Sequence, residues 1–191
     1  MFYMTPQIEF TISNATQVDF IESGMSSLDL VEKTKFTANS DNQELALSPK
    51  AIGSSIQKLE LNNESIYCEG LSYLASDTSL KFKMQGSMQS VAKGSGLYLQ
   101  HISGSGKIYL ETYGSIIEKR ISDEEPIIVD YGHLVAFESS LEYKLLKPKR
   151  GTINSTTIGE WIVIKFSGNG RIWLQSRNRG ENAQLLKKYI D

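Results

Sequence analysis

The residue types that most often carry chemistry are sparse in this chain. There are two histidines, His101 and His133, and one cysteine, Cys68. A metal site of the cupin kind needs a His-x-His pair, a Glu and a further His. No His-x-His occurs, so no stoichiometric metal and no cofactor are expected. His101 opens the strand that enters a glycine-rich hairpin, and His133 follows Gly132 at a turn; both read as structural or surface residues. Cys68 stands between Tyr67 and Glu69 in a strand-like run, the setting of a small core residue. A nucleophilic thiol would need an adjacent base, and none is indicated. A lone cysteine also excludes an intramolecular disulfide.

Two carboxylates, Asp77 and Glu138, occupy corresponding places in two similar segments. Such a pair could bind a cation or serve as acid and base. Their equivalence is explained as well by solvated charges at strand ends, and that reading is preferred. The run Gly104-Ser105-Gly106-Lys107 lacks the spacing of a phosphate loop and does not open a helix. These residues support no catalytic site, and a non-enzymatic protein is expected.

Charge leaves one binding alternative. The 191 residues hold 20 Lys plus Arg and 22 Asp plus Glu, a formal net charge of -2. A generally basic nucleic-acid binder is excluded, but a local patch is not. Residues 96–191 carry 13 basic and 11 acidic residues. Lys147, Lys149 and Arg150 share one loop, and Arg171, Arg177 and Arg179 stand near the last hairpin. A ring of subunits could multiply these six residues into an RNA-binding track, with Tyr or Trp stacking on bases. Trp161 and Trp173 lie in core-like strands, which weakens the stacking part of that reading.

These residues sit on alternating strands. Ile8–Ile12, Leu80–Met84 and Leu141–Leu145 repeat with period two, the pattern of antiparallel strands with one face in water. Trp161-Ile162-Val163-Ile164 suits a strand covered on both faces. Gln17–Ile21 reads as a further strand, with Gly24 at a turn. The segment Ser103–Glu111 matches Ser167–Gln175 at a spacing of 64 residues, and Leu74–Lys83 matches Val135–Lys144 at 61. Pseudo-repeats over about 57–112 and 118–176 follow, with a degenerate unit over about 8–45, all within one domain spanning 1–191. The Ser-Gly-x-Gly motif reads as a tight hairpin turn in both copies. Lys107 and Arg171 are then expected to point to water, with Ile108 and Ile172 inward. Glu181–Ile190 reads as a helix whose stripe of Leu185, Leu186, Tyr189 and Ile190 docks on the domain. No apolar run approaches the roughly 20 residues that span a bilayer, and the N-terminus lacks signal-peptide features. A cytoplasmic location is expected.

Tyr113-Gly114-Ser115-Ile116, Val129–Glu138 and Phe166-Ser167-Gly168-Asn169-Gly170 through Leu174-Gln175-Ser176-Arg177 resemble the altered-inheritance-of-mitochondria family. That family is grouped with proteins of tryptophan-RNA-binding-attenuator-like fold. The similarity runs from about Leu45 to Arg179. It implies an all-β, jelly-roll or double-stranded β-helix-like sandwich of duplicated units, with a short C-terminal helix following it. It also implies a homo-oligomer and supplies no catalytic motif. A scaffold or binding module is therefore expected, with a protein partner possible and RNA the less favoured ligand.

Overall fold

A computed structural model describes residues 3–13, 33–49, 52–86, 97–146 and 162–190. Among the described residues, fourteen strands and one α-helix follow each other. The short N-terminal strands are β1 (Tyr3–Met4), β2 (Ile8–Ser13), β3 (Lys33–Ala38) and β4 (Leu45–Ala46). Then come β5 (Ser54–Glu69), β6 (Tyr73–Ser76), β7 (Lys81–Gly86) and β8 (Tyr98–Tyr113). The rest are β9 (Ile116–Ile121), β10 (Ile127–Asp130), β11 (Leu134–Glu138), β12 (Glu142–Leu146), β13 (Val163–Ser167) and β14 (Gly170–Gln175). A single turn of 3-10 helix, Tyr131–His133, precedes β11, and helix α1 covers Arg179–Ile190. Expected segments at Gln17–Ile21, Gly24 and Trp161 lie outside the described residues.

The strands form an all-β sandwich. Its larger sheet has seven strands in the order β6-β8-β5-β11-β14-β9, with β7 beside β6 on the same edge of β8. The smaller sheet has the order β10-β13-β12. β2 and β3 pair separately, as do β1 and β4. All pairings are antiparallel, as the period-two patterning requires.

Two apolar cores flank β11. One joins Leu99, Leu134, Phe137 and Ile172 of the large sheet to Val129, Ile164 and Phe166 of the small one. The other gathers Leu61, Ile66 and Cys68 of β5, Ile102, Ile108 and Leu110 of β8, and Val135, Ala136 and Trp173. Leu134–Phe137 is thus buried on both faces. The pleat sends neighbours to opposite cores, and a register shift opposite β14, between Leu134 and Ala136, lets consecutive Val135 and Ala136 share the second one. Phe137 is the hub of the first core: it stacks on Tyr67 at 5.2 Å and meets Phe166 edge-on at 4.9 Å.

The two similar segments carry ladders of one register. Lys81 faces Ser103 and Lys83 faces His101, while Glu142 faces Ser167 and Lys144 faces Lys165. Ala75 faces Tyr109 just as Ala136 faces Trp173, each beside a register shift. The Ser-Gly-x-Gly motifs differ, however. Gly168 (φ +96°) turns the chain between β13 and β14. Ser103–Gly106 makes no turn; β8 runs through it as a continuous 16-residue strand. The reason is its partner. β5 is equally long and stays paired with β8, and Asn63 at φ +56° takes up a register shift opposite Gly104. The motif bends a paired ribbon in the first case and closes a hairpin in the second.

Truncating Phe137 would leave a cavity between the sheets. Phe137→Ala is expected to cost about 3–5 kcal/mol. Urea unfolding followed by tryptophan fluorescence should show the midpoint falling by the corresponding amount.

Candidate functional site

Asp77 and Glu138 stand at strand ends, Asp77 exposed and Glu138 partly so, and both also serve as structural acceptors. Asp77 Oδ2 accepts the Lys107 backbone N–H at 2.8 Å, and Glu138 Oε2 accepts that of Arg171 at 2.9 Å. Ser79 donates to the Ser105 carbonyl and Ser140 to that of Asn169, at 2.8 and 2.9 Å. Each carboxylate and its serine fasten a glycine motif onto the preceding turn. A Cβ at Gly106 or Gly170 would come within 2.8 Å of the serine oxygen. The carboxylates belong to separate locks and form no acid–base pair. Among the described residues no group of three His, Cys, Asp or Glu side chains is placed to hold a metal ion.

The six basic residues do not form one described patch. Lys147, Lys149 and Arg150 lie outside the described residues. Arg171, expected in water, is partly covered: its Nε reaches Glu138 Oε1 at 2.5 Å and its guanidinium lies 5.1 Å over the Trp173 ring. The Glu138 carboxylate raises the guanidinium's already high pKa. Arg179 is held by Glu111 at 3.5 Å. Arg177 is exposed, 6.0 Å over Tyr113. Six residues of extended chain separate Arg171 from Arg177, about 20 Å at strand rise. The sequence neighbours therefore point to opposite ends of β14.

The end beyond β14 holds the most developed polar site. Tyr113, His133, Ser176, Arg177 and Asn178 line an open groove, and Glu181, Asn182 and Leu185 of α1 complete it. Its floor is fixed from below. Gln175 accepts the Tyr113 N–H at 2.9 Å and donates to the Gly132 carbonyl at 2.8 Å. His133 Nδ1 stands 2.8 Å from the Gln175 carbonyl, an atom that can only accept. Nδ1 therefore carries a proton and donates to that carbonyl. Asn178 caps α1 by accepting the Gly180 N–H at 2.8 Å.

Behind the groove lies a network absent from the sequence reading. Glu69 accepts from Tyr131 Oη at 3.2 Å, from Leu71 N at 2.9 Å and from Ser72 Oγ at 3.3 Å. The one Tyr131 hydroxyl proton is shared between Glu69 and the Tyr98 carbonyl, which lies 3.0 Å from the same oxygen. Arg179 reaches the carbonyls of Leu71 and Glu111 at 3.2 and 3.3 Å, beside the buried Glu111 carboxylate. The available signal is a Glu inside the apolar run Ile108–Tyr113, where alternation alone places no charge inward. Burial raises the Glu69 pKa, opposed by the Leu71 N–H, Arg179, Tyr131 and Ser72. Burial raises the Tyr131 hydroxyl too, reinforced by the charge of Glu69. His101, half-buried 4.8 Å from Tyr67, is lowered by burial and by Lys83. Cys68 is buried in the second core and forms no disulfide.

Two expectations follow. Glu138→Ala strands the Arg171 N–H and should cost about 1–3 kcal/mol in chemical denaturation. For Glu69, a folded pKa above the unfolded value means folding takes up a proton. Its stabilising effect is present below the unfolded value of 4.5 and is lost as pH rises through the folded one. Glu69→Gln should therefore lose less stability than the parent when melting is followed upward from pH 4.5.

Comparison with known proteins agrees with this fold. The family profile described as Mitochondrial biogenesis AIM24 matches residues 1–177. An uncharacterised protein of Streptococcus pyogenes serotype M6 is 31% identical over 152 residues, which are 77% of this chain and 59% of that protein. The chain thus spans about 59% of the length of that relative. The crystal structure of a Streptococcus pyogenes protein, 28% identical, matches with a TM-score of 0.76 over 99% of this chain and 85% of that one. The profile covers nearly the whole sandwich, including the hairpin locks and the groove floor, and the chain belongs to the Mitochondrial biogenesis AIM24 family.

Proposed function

We propose that this protein is a non-enzymatic, self-associating β-sandwich that serves as a scaffold or binding module. The observation that carries the reading is one open flank. Among the described residues, β9 pairs only with β14 and β10 only with β13, so each ends its sheet. The short turn over Ser122–Glu125 joins these two edges side by side. Each edge exposes a large apolar residue: Ile117 is 53% and Ile128 63% accessible. Unpaired strand edges with exposed isoleucines favour burial against another chain. A second copy is the partner we infer, since closed symmetric assemblies cover such edges efficiently.

Further observations support a role without bond chemistry. Asp77 and Glu138 are spent on backbone N–H groups, and the Cys68 thiol is enclosed in a core. The shared ladder registers support descent from a duplicated unit. No helix of the described residues is long and apolar enough to cross a membrane. We place the protein in the cytoplasm, where a thiol stays reduced. An RNA contact would rest mainly on Arg177 among the described basic residues, because Arg171 and Arg179 are engaged with carboxylates.

Size-exclusion chromatography with light scattering, recorded at 260 and 280 nm, tests this directly. The expected mass is a whole multiple of 21.4 kDa, without nucleic acid. Ile117→Lys combined with Ile128→Lys should shift the mass to that of one chain. A monomeric parent overturns self-association. An oligomer carrying nucleic acid that salt removes makes RNA the ligand.

A further inference from the structure

Helix α1 presents two of its described apolar side chains to solvent. Leu185 and Leu186, expected to dock, are 51% and 50% accessible. Its firmest described attachment is polar and sits at its first residue. The guanidinium of Arg179 enters a recess between β5, the turn after it and β8. Nη1 donates to the Leu71 carbonyl, while Nη2 donates to the Glu111 carbonyl and lies 3.5 Å from the Glu111 carboxylate. The Glu69 carboxylate adds a second negative charge that Arg179 feels. Glu111 itself is 3% accessible, and the Arg179 guanidinium compensates part of its charge.

The recess has capacity left over. Gln100, 2% accessible, donates from Nε2 to the Gly70 carbonyl, but its Oε1 has no partner. Arg179 Nε is also buried without an acceptor. A spare acceptor and a spare donor therefore border the same Glu69–Ser72 turn. Two carboxylates and two carbonyls suit a planar, multidentate cation, and a compact ammonium would reach fewer of them.

We propose that the Glu69–Glu111 recess is a guanidinium socket, with Arg179 as its tethered ligand, and that this contact holds α1 as a releasable strap across the Tyr113–His133–Arg177 groove. Withdrawing Arg179 leaves the socket acidic and open to another guanidinium. It also frees Glu181, Asn182 and Leu185 from the groove they line.

The test uses the full chain and its Arg179→Ala variant. Hydrogen exchange should show amides of 181–190 losing protection at least tenfold in the variant, with those of β5, β8 and β11 unchanged. N-methylguanidinium at low millimolar concentration should raise the variant's melting temperature by about 2–4 °C over an equal concentration of methylammonium. The parent, its socket filled, should show no such difference. Equal responses of parent and variant, or undisturbed helix protection, overturn the proposal. If Arg179→Ala fails to fold, Arg179→Lys is titrated in the same way. Lysine leaves the fork unfilled, so the same excess over methylammonium is expected, and its absence is equally decisive.

Discussion

Strand β11 has no face in water. Leu134–Phe137 contributes to both cores, so the strand must be apolar at four consecutive positions. Its two edges are equally committed, to β5 through Ile66–Cys68 and to β14 through Ile172–Leu174. It is therefore the piece through which the long β5–β8 ribbon is joined to the hairpins after it. A parallel strand of this composition would raise no question. In an antiparallel sheet, double burial requires a second layer on each side. The pleat divides the side chains between those layers, and the register shift opposite β14 lets Val135 and Ala136 share one of them.

Around that strand, each Ser-Gly-x-Gly motif is fastened by a carboxylate and a hydroxyl. Backbone N–H groups at a bend lack ladder partners, and the side chains of the preceding turn supply them. Glycine is required at Gly106 and Gly170 because the serine oxygen and the carboxylate occupy the space a Cβ would take. One motif bends a ribbon and the other closes a hairpin, yet the lock is the same. The local chemistry is indifferent to which path the chain takes, and the length of the partner strand decides between them.

Polarity is concentrated at the end where β14 runs out. Gln175, His133 and Asn178 fix the floor of the groove, while Glu69, Glu111, Arg179 and Tyr131 sit behind it. The open flank formed by β9 and β10 is instead apolar at Ile117 and Ile128. The proposed assembly edge and the polar groove thus lie on different surfaces. A change at one need not disturb the other, except through β14, which touches both.

Much of the fold was legible in the sequence because alternation is local. Leu80–Met84 and Leu141–Leu145 declare a wet face and a dry one, and the 61- and 64-residue spacings declare two like segments. Ile108 and Ile172 are buried as expected. The composition of α1 likewise announces a helix. What a charged residue does was not legible, because its partner lies far away in the chain. Glu138 meets Arg171, 33 residues on, and Arg179 meets Leu71, 108 residues back. Only tertiary structure made Asp77 and Glu138 serve as locks, and divided Arg171 from Arg177. It alone gathered Glu69, Glu111 and Arg179 into one recess. Periodicity is a property of neighbours, but compensation of buried charge depends on which strands the fold brings together.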